Sequence, residues 1–249
     1  MKLKLAKRIK EADNIYSLYW EPQNKITYLP GQYFYFTLPN LKYSDPRGAT
    51  RHFTLSSSPS EEGLIRFTTK IREESGYKKT LFELKIGTEI EGEGSNGTFI
   101  LDENEKGNHV LIAGGIGITP FRSFIKYNID KKLTDIKIHL IYSNSTPEEI
   151  TFKNELEEWS KSNDNIKIAM TITKPEENKQ NLPAGRQGWN GLTGRIDEKM
   201  IKKLTTNYKL QTTKFWLCGP PPMVEAMERT LLNLKISPGH IRSEKFTGY

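Results

Sequence analysis

The sequence predicts two domains: an N-terminal antiparallel β-barrel over residues 1–104 and an α/β domain built on a parallel sheet over residues 105–249. Three observations predict this. A chain of 249 residues is longer than the roughly 100 to 150 residues of an ordinary single domain. Near Lys106 and Gly107 the apolar pattern changes from short alternating runs to strands that alternate with helices. The second half then opens with "LIAGGIGITPF" (111–121), an apolar run, three glycines and a Thr-Pro pair, the sequence form of a strand that turns tightly into a helix.

Six runs in the first half read as strands because they are short and rich in β-branched and aromatic residues. They are "NIYSLYW" (14–20), "QYFYFTL" (32–38), "RHFTLSS" (51–57), "LIRFTTKI" (64–71), "TEIEGEG" (88–94) and "GTFIL" (97–101). Turn chemistry separates them at Pro30-Gly31, Pro39-Asn40, Asp45-Pro46, Pro59 and Gly63. So many short strands in so little chain imply a small barrel or sandwich.

In the second half "HVLIAG" (109–114) is an apolar strand, and "TPFRSFIKYN" (119–128) a helix with Thr119 as N-cap and Pro120 at its first position. "IKIHLIYS" (136–143) is a second strand, after which Pro147 opens a helix with Phe152, Leu156 and Trp159 at helical spacing. "IKIAMTI" (166–172) and "TKFWLCG" (213–219) are further strands. "PMVEAMERTLLNL" (222–234) is a helix with Met223, Met227, Leu231 and Leu234 on one stripe. Repeated strand-helix units imply a parallel sheet covered on both faces. "KPEENKQNLPAGRQG" (174–188) reads as a long polar surface loop.

Composition narrows the function. The basic N-terminus is followed by no apolar h-region, and no window approaches the roughly 20 apolar residues of a membrane span, so a cytoplasmic protein without membrane insertion is expected. One cysteine, Cys218, excludes an internal disulfide or a cluster held by four cysteines of this chain. Four scattered histidines show no metal-ligand spacing, and no metal is expected. The net charge of +7 fits an acidic partner, nucleic acid, an anionic membrane surface or simply a solvated basic surface.

Two segments carry chemistry on their own terms. The glycines before the Thr-Pro helix, with Gly114, Gly115 and Gly117 foremost, allow a pyrophosphate to approach backbone amides at a helix N-terminus. Cys218 stands at the carboxyl edge of a strand, before Gly219 and Pro220, where ligands of open parallel sheets bind. A formal GxGxxG at Gly92, Gly94 and Gly97 is rejected, because the motif means dinucleotide binding only between a strand and a helix, and here the apolar run "TFIL" follows.

Taken in order, "PGQY" (30–33), "RHFTLSSSP" (51–59), "GGIGITP" (114–120), "YSNSTPEEITFKNEL" (142–156), "LCGPPPMVEAM" (217–227) and "SEKFTGY" (243–249) resemble the ferredoxin:NADP⁺ reductase superfamily over nearly the whole chain. The resemblance implies FAD, preferred over FMN by family frequency, and NADH or NADPH. It implies that Arg51 pairs with the flavin pyrophosphate, Phe53 packs on the isoalloxazine in place of the commoner Tyr, and Thr54 addresses flavin N5. His52 contributes its backbone and Ser57 belongs to the same motif. Thr68, Lys70, Gly76, Lys79 and Thr80, in a strand end and the turn "SGYKKT", complete the flavin site. Thr119 and Pro120 with Gly114, Gly115, Gly117, Ser143, Gly219, Pro220 and Met223 belong to the dinucleotide site. Cys218 flanks the nicotinamide, and Glu244 and Phe246 match the family's Glu-x-aromatic ending, with Phe246 or Tyr249 covering the flavin.

The activity so implied is hydride transfer from NAD(P)H to FAD, with electrons passed to an acceptor: a ferredoxin, an oxygenase component, another redox protein or a small molecule. A reductase subunit of a larger complex is the alternative. A basic barrel that binds nucleic acid explains the charge but not the two glycine-containing turns. The strand ending "YSNST" carries neither the acidic residue of many NAD sites nor the Arg of NADP sites, so the nucleotide preference stays open.

Overall fold

The computed structural model describes residues 1–175 and 188–247. The loop expected over 174–188 therefore falls mostly outside the described residues, as does Tyr249.

The first half forms an antiparallel sheet of β1 (Lys2–Ala12), β2 (Ile15–Pro22), β3 (Tyr33–Thr37), β4 (Thr50–Thr54), β5 (Ile65–Lys70) and β6 (Glu89–Asn96), in the order β4-β3-β6-β1-β2-β5. An isolated bridge between Leu55 and Phe67 joins the two edges of the curled sheet and closes it as a barrel. Inward side chains alternate along the strands: Leu3 and Leu5, Phe34 and Phe36, with Trp20 and Phe67, are all buried in one core.

The membership of the barrel differs from the expectation in two places. β1 occupies the basic N-terminus, where Leu3 and Leu5 point inward between lysines. Residues 97–101 form no strand. Phe99 and Leu101 are apolar because they pack into the core of the second domain, Phe99 5.2 Å from the Trp216 ring. The "SGYKKT" turn is the start of a helix, α1 (Gly76–Glu83), whose cap Ser75 accepts a hydrogen bond from the Lys78 amide.

The second sheet is parallel and contains β7 (Gly107–Gly114), β8 (Ile136–Asn144), β9 (Ile166–Ile172), β10 (Leu192–Thr193), β11 (Lys214–Gly219) and β12 (Ile241–Lys245). Its order is β10-β9-β8-β7-β11-β12, so the winding reverses between β7 and β11. The helices α2 (Ile118–Asp130), α3 (Lys153–Ser162), α4 (Glu198–Leu204) and α5 (Pro221–Asn233) cover it. Alternation along β7 divides the cores: Leu111 and Ala113 pack with Phe121, Phe124 and Leu156 of α2 and α3. Val110 and Ile112 pack with Ile201, Val224, Met227 and Leu231 of α4 and α5.

Two expected helix starts move. A 3-10 turn over Gly115–Gly117 precedes α2, whose cap is Gly117; Thr119 lies inside the first turn and its hydroxyl donates to the Ile116 carbonyl at 3.2 Å. Pro147 opens only a short 3-10 turn over Pro147–Glu149, and α3 starts anew after Phe152, which sits at φ 61°.

Candidate functional site

Two cavities lie side by side where the barrel faces the parallel sheet, and Ile116 lines both. The first is bounded by Arg47, Arg51, His52, Phe53 and Thr54 around β4, by Thr68 and Thr69 of β5, and by Ser75 and Lys78 at α1. From the second domain Ile116, Thr119, Glu244, Lys245, Phe246 and Thr247 close it. β4 is an edge strand, so residues from both its faces reach the cavity. Phe53 stacks on Phe67 with centroids 4.3 Å apart and rings 5° from parallel, which gives the cavity a flat aromatic wall.

One end of this cavity is cationic, though the division of labour differs from the expectation. The Arg51 guanidinium pairs with Asp45 and donates to the carbonyls of Arg47, Gly48 and Thr50 at 2.7, 3.0 and 2.7 Å. Asp45 also accepts from the Arg47 and Tyr77 amides and the Ser75 hydroxyl, at 3.0, 2.9 and 3.1 Å. Arg51 thus braces the 45–50 loop against the first turn of α1. Lys78 joins it from that turn, its ammonium donating to the Lys70 carbonyl at 3.0 Å. Burial, with Arg72, Arg47 and Arg51 nearby, pushes the Lys78 pKa down to about 8.

Several expected contributors have their polar groups engaged within the protein, Thr68 while still lining the first cavity. Lys79 turns to Glu73 at 3.4 Å. The Ser57 hydroxyl is engaged by Tyr28 and by the Arg66 amide, both at 2.9 Å, and the Thr68 hydroxyl by Ser17 and Ser56. Thr80 accepts from the Lys42 and Tyr43 amides, and Gly76 is needed for packing, since a Cβ there would lie 2.2 Å from the Ser44 carbonyl oxygen.

The second cavity, about 560 Å³, follows the carboxyl ends of β7, β8 and β9 at the winding reversal, the place where open parallel sheets take ligands. Gly114, Gly115, Ser143, Pro220 and Met223 line it. Lys70, expected in the flavin site, lines this cavity instead and pairs with Glu149 at 2.8 Å. Arg72, Asn144, Ser145, Thr173, Arg195 and Ile196 complete the wall. Of the glycines, Gly115 has φ +51° and a Cβ there would meet no protein atom within 4 Å, so its side toward the cavity is open. Gly117 is a close approach: a Cβ would lie 2.3 Å from the Cys218 carbonyl oxygen. Gly219 lies beside Gly114, and Pro120 is buried in α2.

Cys218 and Glu244 are register partners on β11 and β12. The thiol is fully buried in the core and lines neither cavity; burial, then the Glu244 charge, push its pKa far above the ordinary value. Glu244 does line the first cavity, its Oε2 is buried without a hydrogen-bond partner among the described residues, and burial pushes its pKa up to about 7. The Phe246 amide donates to the Gly219 carbonyl at 3.0 Å, which sets the ring at the cavity wall.

Sequence reasoning missed Arg47, Lys78, Ile116, Asn144, Thr173 and Arg195. Only Lys78 carried a signal, as the neighbour of Lys79 one position along a helix that was read as a turn. It also missed Arg122, buried in α2, which donates to Glu61, Glu155 and the Ser56 carbonyl and so ties the serine-rich segment to the second domain.

The geometry suits a flat ring with an anionic tail in the first cavity and a nucleotide in the second. Comparison with known proteins agrees. Residues 1–101 match the model of the oxidoreductase FAD-binding domain and residues 111–229 that of the oxidoreductase NAD-binding domain. NADH-cytochrome b5 reductase 1 of Aspergillus oryzae is 31% identical over 194 residues, which cover 76% of this chain and 63% of that protein. The chain thus spans about three fifths of the length of the curated relatives it matches. Among solved structures, the flavohem-like FAD/NAD-binding domain of a Vibrio cholerae nitric oxide dioxygenase superposes with TM-score 0.81 at 19% identity, over 98% of both chains. A Neisseria gonorrhoeae ferredoxin NADP⁺ reductase with bound FAD and NADP gives TM-score 0.79 at 17% identity, again over 98% of both. With an FAD-binding barrel joined to an NAD-binding parallel sheet at a shared pair of cavities, the chain belongs to the ferredoxin:NADP⁺ reductase superfamily.

Proposed function

We propose that this protein is an NAD(P)H-dependent FAD reductase that passes electrons to a redox-protein acceptor. The observation that carries the proposal is the pair of cavities that share Ile116 as a lining residue, one with a flat aromatic wall and cations, the other at the carboxyl ends of a parallel sheet. When bound, FAD supplies acceptance of a hydride from reduced nicotinamide and release of electrons one at a time.

The chain's own residues hold, align and shield. Arg47, Lys78 and the braced Arg51 meet the anionic diphosphate of the flavin nucleotide. Phe53 and Phe246 enclose the ring from two sides, and Thr54, buried at the cavity floor, orients it. Glu244, whose carboxyl burial raises to about 7, is partly protonated near neutral pH and would offer a proton donor in the first cavity. Gly115 leaves room for the pyrophosphate of the second nucleotide. The acceptor is an electron-carrying protein, a reading supported by relatives named as reductases of cytochrome b5 and by a structural neighbour described as a cytochrome P450 reductase; it arrives as a separate protein or as a partner subunit.

The test is to add FAD to the purified protein, record the oxidised-flavin spectrum, and then add NADH or NADPH without oxygen. Uptake of FAD and bleaching by one nucleotide are expected, followed by reoxidation by a cytochrome or ferredoxin. A colourless protein that takes up no FAD would sink the proposal. Thr54→Val is expected to slow bleaching at least tenfold while FAD stays bound; an unchanged stopped-flow trace would remove Thr54 from its role.

A further inference from the structure

Where the two domains meet, outside both cavities, charges alternate in a chain: Glu61, Arg122, Glu155, Arg66 and Glu11. Glu61, Arg66 and Glu11 belong to the barrel, Arg122 and Glu155 to α2 and α3. One end of the chain is tight. Arg122 donates to Glu61 at 2.8 and 3.1 Å and to Glu155 at 2.8 and 2.7 Å, and Glu61 also accepts from the Ser58 amide at 2.6 Å. The other end is loose. Arg66 is 3% exposed, yet its Nη2 stands 3.8 Å from Glu155 and its Nη1 3.7 Å from Glu11, both beyond hydrogen-bond reach. Nη1 donates to the Tyr19 hydroxyl at 2.7 Å, while Nε and Nη2 have no hydrogen-bond partner among the described residues. The guanidinium lies over a ring of each domain, Tyr19 at 5.2 Å and Phe152 at 5.1 Å.

Unmet donors on a buried cation lower stability, and here two carboxylates from different domains stand almost equally far from it. The charge balance decides between them. Three carboxylates face two guanidinium groups in this joint, so full ionisation leaves one negative charge in excess, and a proton on the least compensated carboxyl removes it. That carboxyl is Glu11: it has no cation within hydrogen-bond distance, and at 15% side-chain exposure it is more buried than Glu61 or Glu155. Burial raises its pKa, opposed by a hydrogen bond with Ser17 and by the charges of Arg66 and Lys7 and reinforced by that of Glu155. Tyr19, itself raised first by burial, faces the same groups, and Glu61 and Tyr28 also feel the Arg66 charge. We propose that Arg66 is a proton-operated switch between the domains. With Glu11 neutral, Arg66 is drawn to Glu155 and ties the barrel to the second domain; with Glu11 ionised, it turns about Tyr19 to Glu11 and releases that tie.

The test is a double-mutant cycle of Arg66→Gln and Glu155→Gln, read by urea unfolding of the full chain from about pH 5 to about pH 8, in the native and the Glu11→Gln backgrounds. In the native background the coupling between Arg66 and Glu155 is expected to fall roughly fivefold in equilibrium constant as pH rises. In Glu11→Gln, whose amide stays neutral, it is expected to hold. Protonation of Glu155 at the acid end weakens both backgrounds alike, so their difference isolates Glu11. A native coupling that is the same at both ends of the range overturns the inference, and so does an equal fall in Glu11→Gln. A second measurement leaves Arg66 in place, should its variant not fold. The folded state binds the Glu11 proton more tightly than the unfolded chain, so the associated stability is complete below the unfolded pKa and lost as pH rises through the raised one. The urea midpoint of the native protein should therefore fall with pH more steeply than that of Glu11→Gln, and parallel profiles would remove the proton from the switch.

Discussion

Glu244 and Lys78 are displaced from their ordinary ionisation in opposite chemical senses, and each displacement has a direction that solution measurements read. The Glu244 carboxyl is raised from 4.5 to about 7 by burial. The folded state therefore holds this proton more tightly than the unfolded chain, and the associated stability is complete below the unfolded pKa and lost as pH rises through about 7. Glu244→Gln is expected to flatten that part of the unfolding-temperature profile and to remove a transition near neutrality from the pH dependence of flavin reduction. Persistence of both would acquit Glu244 of any protonic role. The Lys78 ammonium, lowered to about 8, returns toward full charge when an anion arrives, so FAD binding near pH 8 should take up a proton. Calorimetry in buffers of different ionisation enthalpy measures it. Lys78→Met should abolish the uptake and weaken FAD by roughly tenfold or more, since a hydrogen bond to a charged group is worth about 1.5–3 kcal/mol.

At the level of elements, the 45–50 loop and α1 form one unit. Gly76 lies under Ser44, Asp45 caps the helix start, and Thr80 receives the Lys42 and Tyr43 amides. Gly76→Ala must push backbone against backbone and is expected to cost about 1–3 kcal/mol, with FAD affinity falling in parallel; circular dichroism melting and fluorescence titration check the two. From the sequence, Gly76, Lys79 and Thr80 of this unit were legible only as parts of a turn, not as a helix packed on the 45–50 loop. α1 is only two turns long and opens with Ser-Gly, so its composition speaks for a turn. Likewise the inward face of β1 has only Leu3 and Leu5 between lysines, too weak an alternation to read. β7, β8, β9 and β11 were plain because parallel strands buried on both faces are continuous apolar runs. The apolar run at 97–101 was misread for the opposite reason: Phe99 and Leu101 owe their character to another domain's core, which no local pattern records. In the same way the motif residues of β4 could be found from their order along the chain, whereas Arg47 and Asn144 come to line the cavities only once the chain is folded.

For the whole molecule, the joint between domains is held by charge. Arg122 is buried at 2% side-chain exposure against Glu61 of the barrel and Glu155 of α3, and Ser123 donates to the Ser57 carbonyl at 2.8 Å. Arg122→Met takes the cation from Glu61 and leaves Glu155 only Arg66 at 3.8 Å, and is expected to destabilise by about 2–4 kcal/mol, with the loss larger at pH 8 than at pH 5, where the carboxyls, whose pKa values burial already raises, protonate more readily. Across this joint stands Ile116, a wall common to both cavities. A common wall gives the two sites a route for coupling, and any such coupling is reciprocal. Whatever factor FAD imposes on the affinity for a dinucleotide, the dinucleotide must impose on FAD, so two titrations in opposite order close a cycle, and Ile116→Ala should shrink its coupling while each site still fills.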